Sequence, residues 1–286
     1  MATTPYATLA DAKVETKATS TLDDNVLLSY IRTVSNRIDR LLYSNRAFFA
    51  PVIETRQFML TSDNVWSAVN AFRFSDNLLA ATGVTVNGTD YVGSTEGYPI
   101  YPTPFNALRL TTTVSWYNIG CVSNWRSPVY VTIAGVWGYH SDYNNAWLDV
   151  DTITTVGGIN ASVTTFTVTD VDGLNAYGLT PRLSAGALIR VDSEFMEVTA
   201  TNITTNTVTV RRGVNGSTAA IHAESATVAM FQVEDNIRRV VARQAAFLYA
   251  RRGSYENASV TDMAVVSFPS DLLGELIGVM NSYAYT

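Results

Sequence analysis

The sequence predicts an α+β fold: a helical bundle built from the N- and C-terminal segments and carrying large β-rich insertions. Three observations lead there. Apolar residues recur at three- and four-residue steps through 23–44. A second such stripe runs through 233–253. The long stretch between them is rich in β-branched and aromatic residues and is punctuated by turn signals.

Four parts are expected: an N-terminal helical segment (1–50), a β-rich region (51–150), an inserted small β-domain (151–232), and C-terminal helices with a docking tail (233–286). In the first part, Thr8 can cap a helical turn, and Asp23 or Asp24 can cap a helix of about 20 residues. Leu27, Ile31, Val34, Ile38 and Leu41 form its stripe. In the second part, RQFML, LLAATGVTV, ALRLTTTVSWYNI and PVYVTIAGVWGY read as strands. Asn87-Gly88 suits a type I′ hairpin turn.

In the third part, VTTFTVTD, GALIRVDSEFMEVTA, NTVTVRRG and ATVAMFQ read as strands of a compact barrel or sandwich. Asp192-Ser193-Glu194 forms a hairpin connection there. In the fourth, Glu234 and Asp235 open a helix that Arg251 and Arg252 close, matching its dipole. Ile237, Val241, Ala245 and Leu248 make its stripe, and Gly253 is its stop. A last helix is expected after a Ser270 cap. The first and penultimate helices each have one apolar face, so they are expected to pack together.

Composition narrows the function. The chain has 286 residues, 47% of them hydrophobic, enough for one sizeable core or several smaller ones. Only 15% are charged and the net charge is −6, so the whole protein is not a nucleic-acid binder by charge. Lys13 and Lys17 are the only lysines among 19 basic residues. Arginine's planar fork suits interface pairs with carboxylates. Cys121 is the only cysteine, which excludes a disulfide framework within the chain. His140 and His222 have no zinc-ligand spacing. The N-terminus lacks a signal-peptide pattern and no stretch is apolar for long enough to span a membrane. A soluble protein made in the cytoplasm is expected.

No motif for phosphate binding, nucleophilic hydrolysis or zinc proteolysis occurs. Asp170, Asp172, Asp192 and Glu194 read as solvated turn acids rather than ligands. Asp170-Val-Asp172-Gly173 resembles half a calcium loop, but the closing acid is replaced by Leu179. Neither His222 nor Cys121 is expected to be catalytic, and no enzyme, cofactor or metal is expected. Arg238, Arg239, Arg243, Arg251 and Arg252 form the one dense basic cluster. It can meet acids of a neighbouring subunit, DNA phosphates, or solvent.

YATLADAK, VTIAGVWGY, GALIRVDSEFMEV and VRRGVNGSTAAIHAESATV together resemble bacteriophage head-to-tail adaptor (connector) proteins. The resemblance covers most of the chain and is weakest over 50–105. It implies a helical bundle joining a closed ring, a dodecamer, below the portal protein. It implies a lumen for the passing genome and a C-terminal extension docked on the portal. A downstream neck or tail protein would be the next partner, contact with double-stranded DNA would be non-specific, and no membrane is involved. Leu272, Leu273, Leu276, Ile277 and Met280 are the portal-docking candidates, and the arginine cluster is the candidate for subunit or DNA-channel contacts. Gly213, Asn215 and Gly216 would form a tight reversal at positive φ. Ser217 would cap a short helical turn, and His222 would hold the loop by a local hydrogen bond. Two other readings compete: a tail or baseplate protein with an attachment β-domain, and a glycan binder using Trp116, Trp125, Trp137 and Trp147.

Overall fold

The computed structural model describes residues 4–42, 48–66, 70–91, 95–98, 105–110, 116, 128–175, 177–252 and 274–284. The chain forms two compact units. One gathers Met1–Leu41, Trp147–Val214 and Thr218–Tyr285; the other gathers Leu42–Ala146 and Asn215–Ser217, with Thr286.

The first unit starts with α1 (Leu9–Thr16) and α2 (Asp24–Leu41). Thr8 caps α1 in a reciprocal capping box with Asp11, so two orphan donors of the first turn are satisfied. Leu27, Ile31, Val34 and Ile38 bury four of the five positions of the predicted stripe of α2, whereas the fifth, Leu41, is exposed at the last residue of the helix. Its partner is α3 (Asp235–Ala250), which also touches α1 and a last helix, α4 (Gly274–Ala284). The segment before α1 is buried as well: Tyr6 N–H donates to Ser35 Oγ at 3.0 Å, and its hydroxyl donates to Asp39.

The same unit holds six strands: β8 (Trp147–Thr152), β9 (Thr165–Thr167), β10 (Leu188–Val191), β11 (Glu194–Asn202), β12 (Thr207–Arg211) and β13 (Thr227–Phe231). They lie in the order β8-β13-β10-β11-β12-β9, antiparallel throughout. Ile153, just past β8, bridges Val168, just past β9, and Thr154 N–H donates to Thr167 O at 2.9 Å. The two edges therefore meet and the sheet closes into a small barrel, which removes its open edges. Its interior is aliphatic: Ile153, Val168, Ile189, Val191, Met196, Val198, Val208, Val210, Val228 and Met230 are buried together with Phe166.

The second unit is one antiparallel sheet, β1 (Val52–Met59), β7 (Tyr130–Trp137), β3 (Ala71–Val86), β6 (Phe105–Leu110) and β5 (Thr95–Tyr98) in that order. Short β2 (Val65–Trp66) and β4 (Thr89–Asp90) flank β3. Asn87 and Gly88 take φ of 47° and 85° in the β3–β4 turn, as a type I′ turn requires. The core here is aromatic, with Phe58, Phe72, Phe74, Trp116 and Trp137 stepping across it at centroid distances of 5.4–6.3 Å.

The expected helical bundle with β-insertions is therefore corrected. Two antiparallel sheets are the frame, and thirteen strands outnumber four α-helices among the described residues. The physical reason lies in what the helices attach to. Leu9 N–H donates to Ala185 O at 2.8 Å, Ala10 N–H to Ser184 Oγ at 3.1 Å, and Arg32 of α2 reaches Glu197 of β11 at 2.7 Å. The helices belong to the barrel as much as to one another.

Candidate functional site

The segment that carries the sharpest sequence resemblance lies at one end of the barrel, where three loops converge on Glu194. The β10–β11 hairpin turns at Asp192, which takes φ 52°, and places Glu194 as the first residue of β11. Its side chain is fully buried, in phase with the inward-facing Met196 and Val198. β12 ends at Arg211, and Arg212 turns in behind it. Arg212 Nε donates to Glu194 Oε1 and Nη2 to Oε2, both at 2.7 Å, in a bidentate fork. Nη2 also donates to Ala220 O at 2.6 Å, and Nη1 donates to Asn160 O and Val163 O at 2.8 and 2.7 Å. All five donors of the guanidinium are thus used.

Glu194 is equally full. Gly213 N–H donates to Oε1 at 3.0 Å and Ala220 N–H to Oε2 at 2.9 Å. His222, 1% exposed, places Nε2 at 2.8 Å from Glu194 Oε2 and Nδ1 at 2.7 Å from Asp192 Oδ2. Both ring nitrogens face carboxylate oxygens. Burial opposes the charge on Glu194. The Arg212 guanidinium, Ala220 N–H, His222 and Gly213 N–H outweigh it and hold the carboxyl down at about 2. The backbone of His222 pairs with Ile159 in both directions at 2.9 Å. Gly158 passes so close that a Cβ there would lie 2.2 Å from His222 O.

This arrangement pins the 157–163, 192–194 and 212–222 loops to one buried carboxylate. Every polar atom of Arg212 and Glu194 is engaged inside the fold, so neither is left to bind or activate a substrate. Among the described residues there is no group of three or more metal-ligating side chains. Asp170 Oδ1 accepts from the N–H groups of Asp172 and Gly173 at 3.2 and 3.1 Å in a local turn, as expected of a turn acid.

Gly213, Asn215 and Gly216 adopt φ of 59°, 52° and 80°. Residues 217–221 are irregular, and the expected helical turn after Ser217 is absent. The Glu194, Asp192 and His222 constellation corrects a second expectation, that Glu194 is a solvated turn acid. One signal was available: Glu194, Met196 and Val198 share the two-residue period of an inward face.

The arginines of α3 and its end meet different partners. Arg238 pairs with Asp11 at 2.6 Å and Asp235 at 3.1 Å, and its guanidinium lies 3.9 Å over the Tyr177 ring. Burial pushes the Tyr177 hydroxyl well above its ordinary range. Arg243 pairs with Glu275 of α4 and lies 3.9 Å from Glu15. Arg252 pairs with Asp23 at 2.8 Å over the Tyr249 ring. Arg251 lies over Phe247 at 5.2 Å, and Arg239 is exposed. Three of the five thus meet acids of their own chain. Of the docking candidates, Leu276 is fully buried in α4 and Ile277 is 44% exposed. Tyr283, also buried, exchanges hydrogen bonds with Asn236 of α3. The side chains of Leu272, Leu273 and Met280 lie outside the described residues, as do Cys121, Trp125, Gly253 and Ser270.

Of the tryptophans proposed for sugar stacking, Trp116 and Trp137 are packed inward, at most 1% exposed, and half-buried Trp147 stacks on Phe195 at 5.1 Å. No helix among the described residues is long and apolar enough to cross a membrane. No family model matches the chain, and no curated protein matches it.

Proposed function

We propose that the chain is a structural virion protein of a bacteriophage head-to-tail connection. It forms a ring below the portal protein, joins the capsid to the next neck or tail protein, and surrounds the DNA channel. It is not an enzyme. One observation carries this reading. The segment with the sharpest resemblance, VRRGVNGSTAAIH, uses its arginine and histidine to fix the barrel's own loops. What it offers outward is shape and surface, which suits an assembly protein and leaves no group for chemistry. The low charge of the chain and its neutral polar surface support the same reading.

The test is the mass of the purified protein, alone and mixed with the portal protein of the same virus, by light scattering with negative-stain imaging. A ring formed on the portal is the expected result. Absence of portal binding, or a six-fold or trimeric ring formed without it, points instead to a tail or baseplate component.

A further inference from the structure

Two exposed patches on the first unit are opposite in charge and share one design. The first is at the pinned end of the barrel. Ile221 is 78% exposed although its neighbour His222 is buried, and Val156 is 90% exposed at the tip of the Thr155–Gly158 turn. Each has one exposed carboxylate beside it. Asp192 is bonded to His222, next to Ile221; Glu224 accepts from Gly157 N–H at 3.0 Å, next to Val156. The loops carrying them are paired through Ile159 and His222 and fixed by the Glu194 network, so these side chains are presented on rigid backbone. The second patch is the last turn of α2. Leu41 is 49% exposed there, beside exposed Arg37 and Arg40. Neither arginine has an acidic partner among the described residues, in contrast to Arg238, Arg243 and Arg252.

We infer that these patches are the two halves of a head-to-tail contact between copies of this chain. The Val156 and Ile221 tip, with its acids, seats on Leu41 of a second copy, flanked by Arg37 and Arg40. The aliphatic residues supply the contact that excludes water, and the charges on the rim steer and orient it. A like-to-like contact of either patch would oppose equal charges, so the two halves favour a heterologous interface. Nucleic acid is a poor occupant of the first patch, since its two carboxylates repel phosphate. The inference deepens the ring reading by naming its subunit contact, yet it stands or falls separately from portal binding.

The test uses two variants of the full chain: Val156→Asp/Ile221→Asp, which disables the tip, and Arg37→Glu/Arg40→Glu, which disables the socket. All four positions are exposed, so folding is not at stake. In sedimentation velocity, wild-type protein is expected to self-associate with rising concentration and less so at high salt. Each variant alone is expected to stay monomeric. Their equimolar mixture is expected to form a 1:1 dimer and nothing larger, because it contains one intact tip facing one intact socket. The conservative Arg37→Lys/Arg40→Lys variant should associate like wild type. Wild-type protein that remains monomeric at its highest soluble concentration overturns the contact, as do variants that associate normally or a mixture that stays monomeric. A ring formed on the portal by the disabled variants would also overturn it, while leaving the connector reading intact.

Discussion

The two sheets of this molecule reach stability by different routes. The sheet of the second unit relies on large rings: Phe58, Phe72, Phe74, Trp116 and Trp137 fill one continuous core, and Arg56 lies over Trp137 at 4.6 Å while pairing with buried Asp76. The barrel of the first unit has a core of small aliphatic side chains and a single phenylalanine. It compensates with buried strand carboxylates that tie in loops, a helix and a neighbouring strand: Glu194 held by Arg212, Glu197 held by Arg32 and Arg211, and Asp151 held by Arg182. A small barrel has little interior to fill, so its long connections must be fixed by directional bonds. A sheet with a broad aromatic face can rely on area.

That contrast is open to direct attack. Trp137→Ala should cost the second unit about 3–5 kcal/mol, the range for removing a large buried aromatic side chain, read from denaturant midpoints. Glu194→Gln should cost the barrel a comparable amount, about 3–5 kcal/mol, because it leaves the Arg212 guanidinium buried without its counter-charge. If Glu194→Gln proves neutral, the barrel does not depend on its ion network and the contrast fails.

Acid titration sharpens it further. Glu194 sits at about 2 in the fold against an ordinary value of 4.5. The unfolded chain therefore takes up this proton first, so the stabilisation is fully present above about 4.5 and is lost as pH falls towards 2. The whole of this contribution is gained or lost within that window. Glu194→Gln should flatten this part of the stability curve. Asp39 has the opposite sign. Burial, only partly offset by the Tyr6 hydroxyl, pushes it up to about 7 from 3.8. Its folded state keeps the proton longer, so stability is greatest below about 3.8 and declines as pH rises through 7. Asp39→Asn should therefore stabilise the protein at pH 8 and change little at pH 4, measured as the difference in midpoint between the two.

Local chemistry was readable in the sequence, and non-local pairing was not. The Thr8 cap, the Asn87-Gly88 turn, the hairpin at Asp192 and the α2 stripe from Leu27 to Ile38 are each specified within a few residues, and each is present. The order of the strands is decided by contacts between distant segments, as in the Ile153–Val168 bridge that closes the barrel. The expected helical bundle fails for the same reason: a stripe announces that a helix buries a face but not on what. In the site, Gly213, Asn215 and His222 could be picked out by residue type. The burial of Glu194 could not be read from its neighbours Asp192 and Ser193, which are exposed and give the turn a solvated appearance.

The α3 arginines provide the smallest expected effect and the clearest limit on how far ion pairs matter here. Arg243 and Glu275 are each more than a third exposed, so water and salt screen their attraction and two long side chains must be ordered to make it. Arg243→Ala should change stability by less than about 1 kcal/mol, and raising the ionic strength should erase what remains. Glu194 and Arg212 carry the same charges but meet in a bidentate fork that is shut away from water. A loss at Arg243 as large as that at Glu194 would mean that α4 is held on α3 by this pair. A negligible loss would leave the burial of Leu276 and Tyr283 as the attachment.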